Sequence, residues 1–213
     1  MFKKVVTFIV LMLVVTFIPS CFVLNGYQTA HLIKKNEIEI TPSATLNEYT
    51  NVHRYDVPTG TYGLRLTYGI SEKFNLMSAY HFLQIKDYLH YNNIDLIFKF
   101  RLIEEKLAIN VQTNFYFGQN VETTESVNLQ SALLYTRTVS NSISLTLAPK
   151  CILFIPSLHA MYSVNANAKF NINSLNISII PEIGCTYIKS ENYPIIHGGI
   201  GISYVFNLYK LFK

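Results

Sequence analysis

LAINVQTNFYF, residues Leu107–Phe117, places Leu107, Ile109, Val111, Thr113, Phe115 and Phe117 on one parity. Ala108, Asn110, Gln112, Asn114 and Tyr116 fall on the other. Successive side chains of a β-strand point to opposite faces, so this stretch reads as a strand with one apolar and one polar face. No helical spacing fits it. It is also long for a strand of a soluble domain, where about 5–6 residues is usual.

The same period of two continues on both sides. Ile94, Leu96, Phe98, Phe100 and Leu102 alternate with Asp95, Ile97, Lys99 and Arg101. Leu64, Leu66, Tyr68 and Ile70 alternate with Gly63, Arg65, Thr67 and Gly69. Downstream, the pattern returns over 142–148, 162–172, 177–187 and 196–206, and more weakly over Glu37–Asn47, Phe74–Ile85 and Val127–Val139. The total is about ten strands, with eight or twelve as the bounds, since strand ends read from a pattern carry an error of roughly 2–4 residues. Their lengths of roughly 9–13 residues match the ~9–11 that a tilted strand needs to cross a bilayer. The fold class expected is all-β: an antiparallel up-and-down transmembrane β-barrel.

The links alternate in length. Tight ones fall at Ser71–Lys73, Glu104-Glu105, Ser140-Asn141 and Asn173-Ser174. Longer ones fall at Tyr49–Thr59, Lys86–Tyr91, Gly118–Ser126, Pro156–His159 and Lys189–Pro194. Short periplasmic turns and longer external loops are the arrangement of outer-membrane barrels. An even strand number then leaves both ends of the barrel on the periplasmic side.

Which face points outward decides the function class. An inward apolar face would give a soluble barrel that binds a lipophilic ligand. Three features favour an outward one. The polar files are rich in Asn, Gln, Thr and Ser. They also carry charges of both signs, Arg65, Asp95, Lys99, Arg101, Lys150, Lys169 and Glu182, which a narrow lumen would pair. Asp95 is expected to pair with Lys99 and Arg101, and Glu182 with Lys169. Finally, aromatic residues recur towards strand ends (Tyr68, Phe74, Phe82, Phe117, Tyr187 and Phe206), as interfacial girdles require. Met77, Leu83, Ile97 and Ile180 break the polar file and read as lumen packing. Pro181 falls on the apolar file, where it cannot donate to the ladder.

Composition agrees. Of 213 residues, 50% are hydrophobic and 14% are charged, against about 25% charged in ordinary soluble domains. The net charge of +4 is mild and no basic stripe is present, so no nucleic-acid partner is expected. The N-terminus reads as a signal peptide over 1–20: Lys3 and Lys4, an apolar run from Val5 to Ile18, then Pro19 and Ser20. An uncleaved anchor is the alternative, though the run is shorter than the ~20 residues a spanning helix needs. Residues 21–35 form an anchor or linker, and 36–213 the barrel. Ile18-Pro19-Ser20-Cys21 has the layout of a lipobox, which makes Cys21 the lipidation candidate; cleavage further on, after Ala30, is the other reading. Cys151 and Cys185 fall on apolar faces and read as small hydrophobes.

Two stretches resemble a known family. Tyr27-Gln28-Thr29-Ala30, then Leu32 and Lys34-Lys35-Asn36-Glu37-Ile38-Glu39, follows a cysteine and opens the first strand. It is similar to the start of small bacterial outer-membrane β-barrel lipoproteins, with Asn36 where their pattern has Gly. Tyr68–Leu76 is similar to the YGI-turn-F-x-L hairpin of such barrels. The resemblance implies an outer-membrane location and this architecture, not a substrate.

No catalytic set stands out. His159 and Ser163 share a parity but lie over ~13 Å apart at ~3.3 Å per residue. His81 and His197 read as inward residues without a carboxylate clearly placed to orient them. No zinc spacing, phosphate loop or nucleophile elbow occurs, so no metal and no cofactor is expected. The function expected is therefore that of a non-enzymatic, structural or surface-exposed outer-membrane barrel with a narrow polar lumen, passing small solutes at most. A lipophilic-ligand barrel is the alternative, and a lipid-modifying barrel enzyme the more remote one. Membrane lipids and the outer-membrane assembly machinery are the partners expected.

Overall fold

A computed structural model describes residues 26–49, 59–85, 89–118, 127–155, 160–188 and 193–208. They form one closed antiparallel barrel in which every strand pairs with its sequence neighbours and the last returns to the first. The strands are β1 (Glu37–Tyr49), β2 (Thr59–Ser71), β3 (Phe74–Ile85), β4 (Leu89–Ile103), β5 (Leu107–Gly118), β6 (Val127–Ser140), β7 (Ile143–Phe154), β8 (Ala160–Ile172), β9 (Ile177–Ile188) and β10 (Tyr193–Asn207). Ten is thus the strand number. The seam runs from Glu37 opposite Asn207 to Tyr49 opposite Ile195. The signal region, Cys21 and residues 50–58, 86–88, 119–126, 156–159 and 189–192 lie outside the described residues, whereas 89–91 and 193–194, expected as link, belong to β4 and β10.

The tight turns all sit at one end of the barrel. Each is built from residues that suit a reversal. Backbone amides of Lys73 and Ser142 donate to the hydroxyls of Ser71 and Ser140 at 3.3 Å. Glu105 and Asn176 take left-handed φ values of 53°. Asn is one of the few residues that visits this region at little cost. Register shifts at Gly69/Ser71, Arg101/Ile103 and Thr138/Ser140 precede three of these turns. Such bulges raise local twist, which a closing sheet needs.

The apolar file faces outward. Leu66 is 48% exposed, whereas its neighbour Arg65 is 7% exposed. Aromatic rings mark both ends of that outer face. Phe74 stacks on Phe100 at 4.9 Å and Tyr204 on Phe206 at 5.9 Å near the turns, while Tyr62, Tyr80, Phe117, Tyr162 and Tyr187 stand exposed towards the loop end. Cys151 and Cys185 are unpaired and lie on the outward parity. Among the described strand side chains, Arg137 is the one charge on the outward parity. Inward, Met77, Ile97 and Ile180 are buried as lumen packing, beside files of buried Asn, Thr and Ser.

Candidate functional site in the barrel lumen

The residues before β1 do not run beside the barrel. They enter it. Asn36, with φ 64°, makes the turn: its amide donates to the Gly69 carbonyl at 2.8 Å, and its carbonyl accepts from Leu208 at 3.2 Å. The left-handed backbone explains why Gly or Asn suits this position. A β-carbon at Gly69 would collide with the Lys34 carbonyl, so the wall itself makes room for the incoming chain. From there residues 35 back to 26 climb the lumen to the level of mid-β2 and mid-β9.

A segment in a water-poor lumen must have its backbone groups paired. The wall does this with side chains. Glu182 accepts from the amides of Gly26 and Tyr27, both at 2.8 Å. Arg65 donates to the carbonyls of the same two residues, Tyr27 at 2.9 Å. Tyr27 has φ 43°, a conformation that costs a bulky L-residue roughly 1–2 kcal/mol. That conformation turns two successive amides to one side, forming a concavity that holds an anion. The Glu182 carboxylate fills it. Further along, Asn167 donates to the Gln28 carbonyl at 2.8 Å and Lys99 to the His31 carbonyl at 2.6 Å. The Ala30 amide donates to Thr136 at 2.7 Å, and Asn110 to the Gln28 side chain at 2.5 Å.

Packing completes the fit. Tyr27 is buried, and its hydroxyl donates to the Ala44 carbonyl at 3.0 Å beside Thr45 Oγ1 at 2.5 Å. Its ring lies over Gly201 and its hydroxyl over Gly199, where a side chain would strike it. On the facing wall Ala108, Ala132, Leu134 and Ala148 enclose Ala30, with Leu32 against them. Small inward residues thus line both sides of the segment. Voids of about 60 Å³, between Leu32, Ile33, Glu39 and Lys169, and of about 10 Å³, beside Gly26, lie along the segment. A water needs at least ~10–15 Å³, so these two spaces suit waters.

The seven charged residues of the polar files, Lys150 among them, lie on the inward parity, but their pairings differ from those expected. Asp95 sits 3.2 Å from His81 Nε2 and accepts from Gln112 at 3.0 Å. His81 therefore does have a carboxylate beside it. Lys99 is spent on the inserted segment. Lys169 and Arg65 both face Glu39, at 3.7 and 3.6 Å. Arg101, near the turns, pairs with exposed Glu104 at 3.6 Å. Glu182 is satisfied by backbone amides, Asn165 at 2.6 Å and Asn167 at 3.2 Å. The physical reason is common to all: parity fixes the face of a residue, whereas pairing depends on its height and on what fills the lumen. Glu39 and Tyr27, quoted above only for the resemblance they carry, are lumen residues too; the parity of Ile38 and Ile40 places Glu39 inward, whereas no period marks Tyr27.

The loop-end half is lined by hydrogen-bonded polar side chains. Gln112 joins Asn114, Asn114 joins Asn128, and Asn128 donates to the Tyr116 hydroxyl at 3.2 Å. Ser163 is hydrogen-bonded to Asn165 and Thr186, both at 2.9 Å. His159 lies outside the described residues. Among the described residues no three His, Cys, Asp or Glu side chains converge as metal ligands.

No protein-family model matches the chain, and no curated protein matches it. Solved structures do. An outer membrane channel from Pseudomonas putida F1 is 11% identical, with 86% of this chain and 100% of that chain covered and a TM-score of 0.49. The N-terminal β-barrel domain of Pseudomonas aeruginosa OprF is 16% identical, covering 81% and 98%, with a TM-score of 0.37. Ail, the attachment invasion locus protein of Yersinia pestis, is 10% identical, covering 81% and 99%, with a TM-score of 0.37. At these identities the likeness concerns the fold alone.

Proposed function

We propose that this chain is a non-enzymatic bacterial outer-membrane barrel that its own N-terminal segment closes from the turn end. It serves as a surface-exposed structural protein, not as an open pore. The observation that carries this reading is the grip of Arg65 and Glu182 on Gly26 and Tyr27 inside the lumen. The outward apolar file and its two aromatic girdles support a membrane position. A lipocalin-like binder needs the opposite polarity. In this reading the turns face the periplasm, the chain reaches the membrane through a signal peptide and the barrel assembly machinery, and Cys21 carries acyl chains.

Two measurements test it. The protein is expected to need detergent for extraction and to migrate faster unboiled than boiled. In planar bilayers the wild-type barrel is expected to give no steps of nanosiemens size. Recovery in the aqueous fraction without a heat-dependent shift sinks the membrane reading; nanosiemens steps sink the closed lumen. Labelling with radioactive palmitate that Cys21→Ala leaves unchanged removes the lipid anchor.

A further inference from the structure

The outer face of the barrel is not uniformly convex. Across β7–β9 a groove of about 520 Å³ opens on the outward side. Leu145 and Leu147 of β7 form one bank, Pro181 and Ile183 of β9 the other. Between them the outward side chains of β8 are the small Ala166 and Ala168, and the inward-parity Thr146, Asn167 and Glu182 complete the floor. The register brings these rows together: Leu145 opposite Ala168, Leu147 opposite Ala166, and Ala166 opposite Ile183. Arg137 of β6, opposite Leu145, reaches the rim.

Two independent features meet here. The groove is apolar and lies within the lipid-facing band. The one outward charge among the described strand side chains stands at its edge. A lipid-facing arginine costs ~2–4 kcal/mol at the bilayer midplane and ~0–1 near an interface. Arg137 is three residues from the end of β6, roughly 10 Å of tilted strand, which is interfacial depth. Among the described residues no carboxylate forms an ion pair with it; the groove it borders runs from its own level towards Leu147, Ala166 and Ile183, deeper in the barrel wall. A head-to-tail polarity results: cation at the interface, apolar trough leading to the membrane interior.

We infer that this groove is a binding site for one phospholipid of the turn-end leaflet, its phosphate held by the Arg137 guanidinium and one acyl chain lying over Ala166 and Ala168. Guanidinium and phosphate pair through charge-assisted, bidentate hydrogen bonds. The chain replaces shifting bulk lipid with a fixed occupant of the trough. This inference rests on the membrane reading above.

The test is native mass spectrometry of the full barrel released from nanodiscs of phosphatidylglycerol and phosphatidylethanolamine. Wild-type protein is expected to retain one phospholipid. Arg137→Gln is expected to lower the retained fraction about tenfold through the lost charge-assisted contact. Ala168→Leu, which fills the trough with another lipid-compatible residue, is expected to lower it similarly. Equal retention in all three proteins overturns the site, as does a lipid-free dimer in place of a lipid-bound monomer. If the wild type needs detergent and shifts on heating but keeps no lipid, the groove fails and the barrel reading stands. If the wild type is recovered in the aqueous fraction, both fail.

Discussion

Glu182→Ala is expected to destabilise the barrel by about 3–6 kcal/mol, from its two charge-assisted bonds to backbone amides at ~1.5–3 kcal/mol each. Glu182 is only 3% exposed and bonds two amides of the inserted segment. Without it those amides lose their partner, at roughly 1–3 kcal/mol for each buried orphan. Arg65 keeps Glu39 at 3.6 Å but loses the opposite jaw of the clamp. Tyr27 then keeps its left-handed backbone without the carboxylate that its amide faces. Glu182→Gln, which retains one acceptor oxygen, is expected to cost about half as much, in line with a charged hydrogen bond of ~1.5–3 kcal/mol. The chain has no Trp, so the transition is best followed by far-ultraviolet circular dichroism or by the heat-dependent gel shift during urea titration in detergent. Bilayer recordings supply the second readout: small steps absent from the wild type are expected in Glu182→Ala. An unchanged urea midpoint together with a silent bilayer would refute the clamp.

Tyr27→Ala is expected to cost a similar ~3–5 kcal/mol, the usual loss for truncating a large buried aromatic. The ring is 3% exposed and fills the space above Gly201, while the hydroxyl reaches Ala44 and Thr45. Nothing else in the segment is placed to fill the void. Tyr27→Phe separates the two contributions. It keeps the ring and is expected to lose ~1–2 kcal/mol from the hydroxyl's bonds. Urea midpoints of the three proteins check the order wild type, Phe, Ala. A Tyr27→Ala loss below that of Tyr27→Phe would mean that the segment is not packed in the lumen.

These predictions concern a segment that the sequence left almost blank. The barrel was legible because period-two alternation is a local signal, and LAINVQTNFYF shows it without help from neighbours. Glu37–Asn47 was weaker, since Pro42 and Ala44 thin its apolar file, yet β1 spans Glu37–Tyr49. Residues 26–35 have no period because each side chain there answers to a different part of the wall. Their placement did leave a trace in other strands. Ala108, Ala132, Ala148, Gly199 and Gly201 are small at inward positions, where a barrel filling its own lumen would use larger residues. Small inward residues on opposite walls signal a guest. The parity of Glu182 places it inward, and Lys169 is the partner that charge alone suggests. Its partners include two backbone amides with Asn165 and Asn167, and neutral groups of this kind do not show in a list of charged residues.

Asn36 is bonded at once to Gly69 on one side of the seam and Leu208 on the other. Residues 26–35 and the wall therefore share one fastening: the residue that turns the chain inward also bridges the strands on either side of β1, so the plug is anchored where the ring closes.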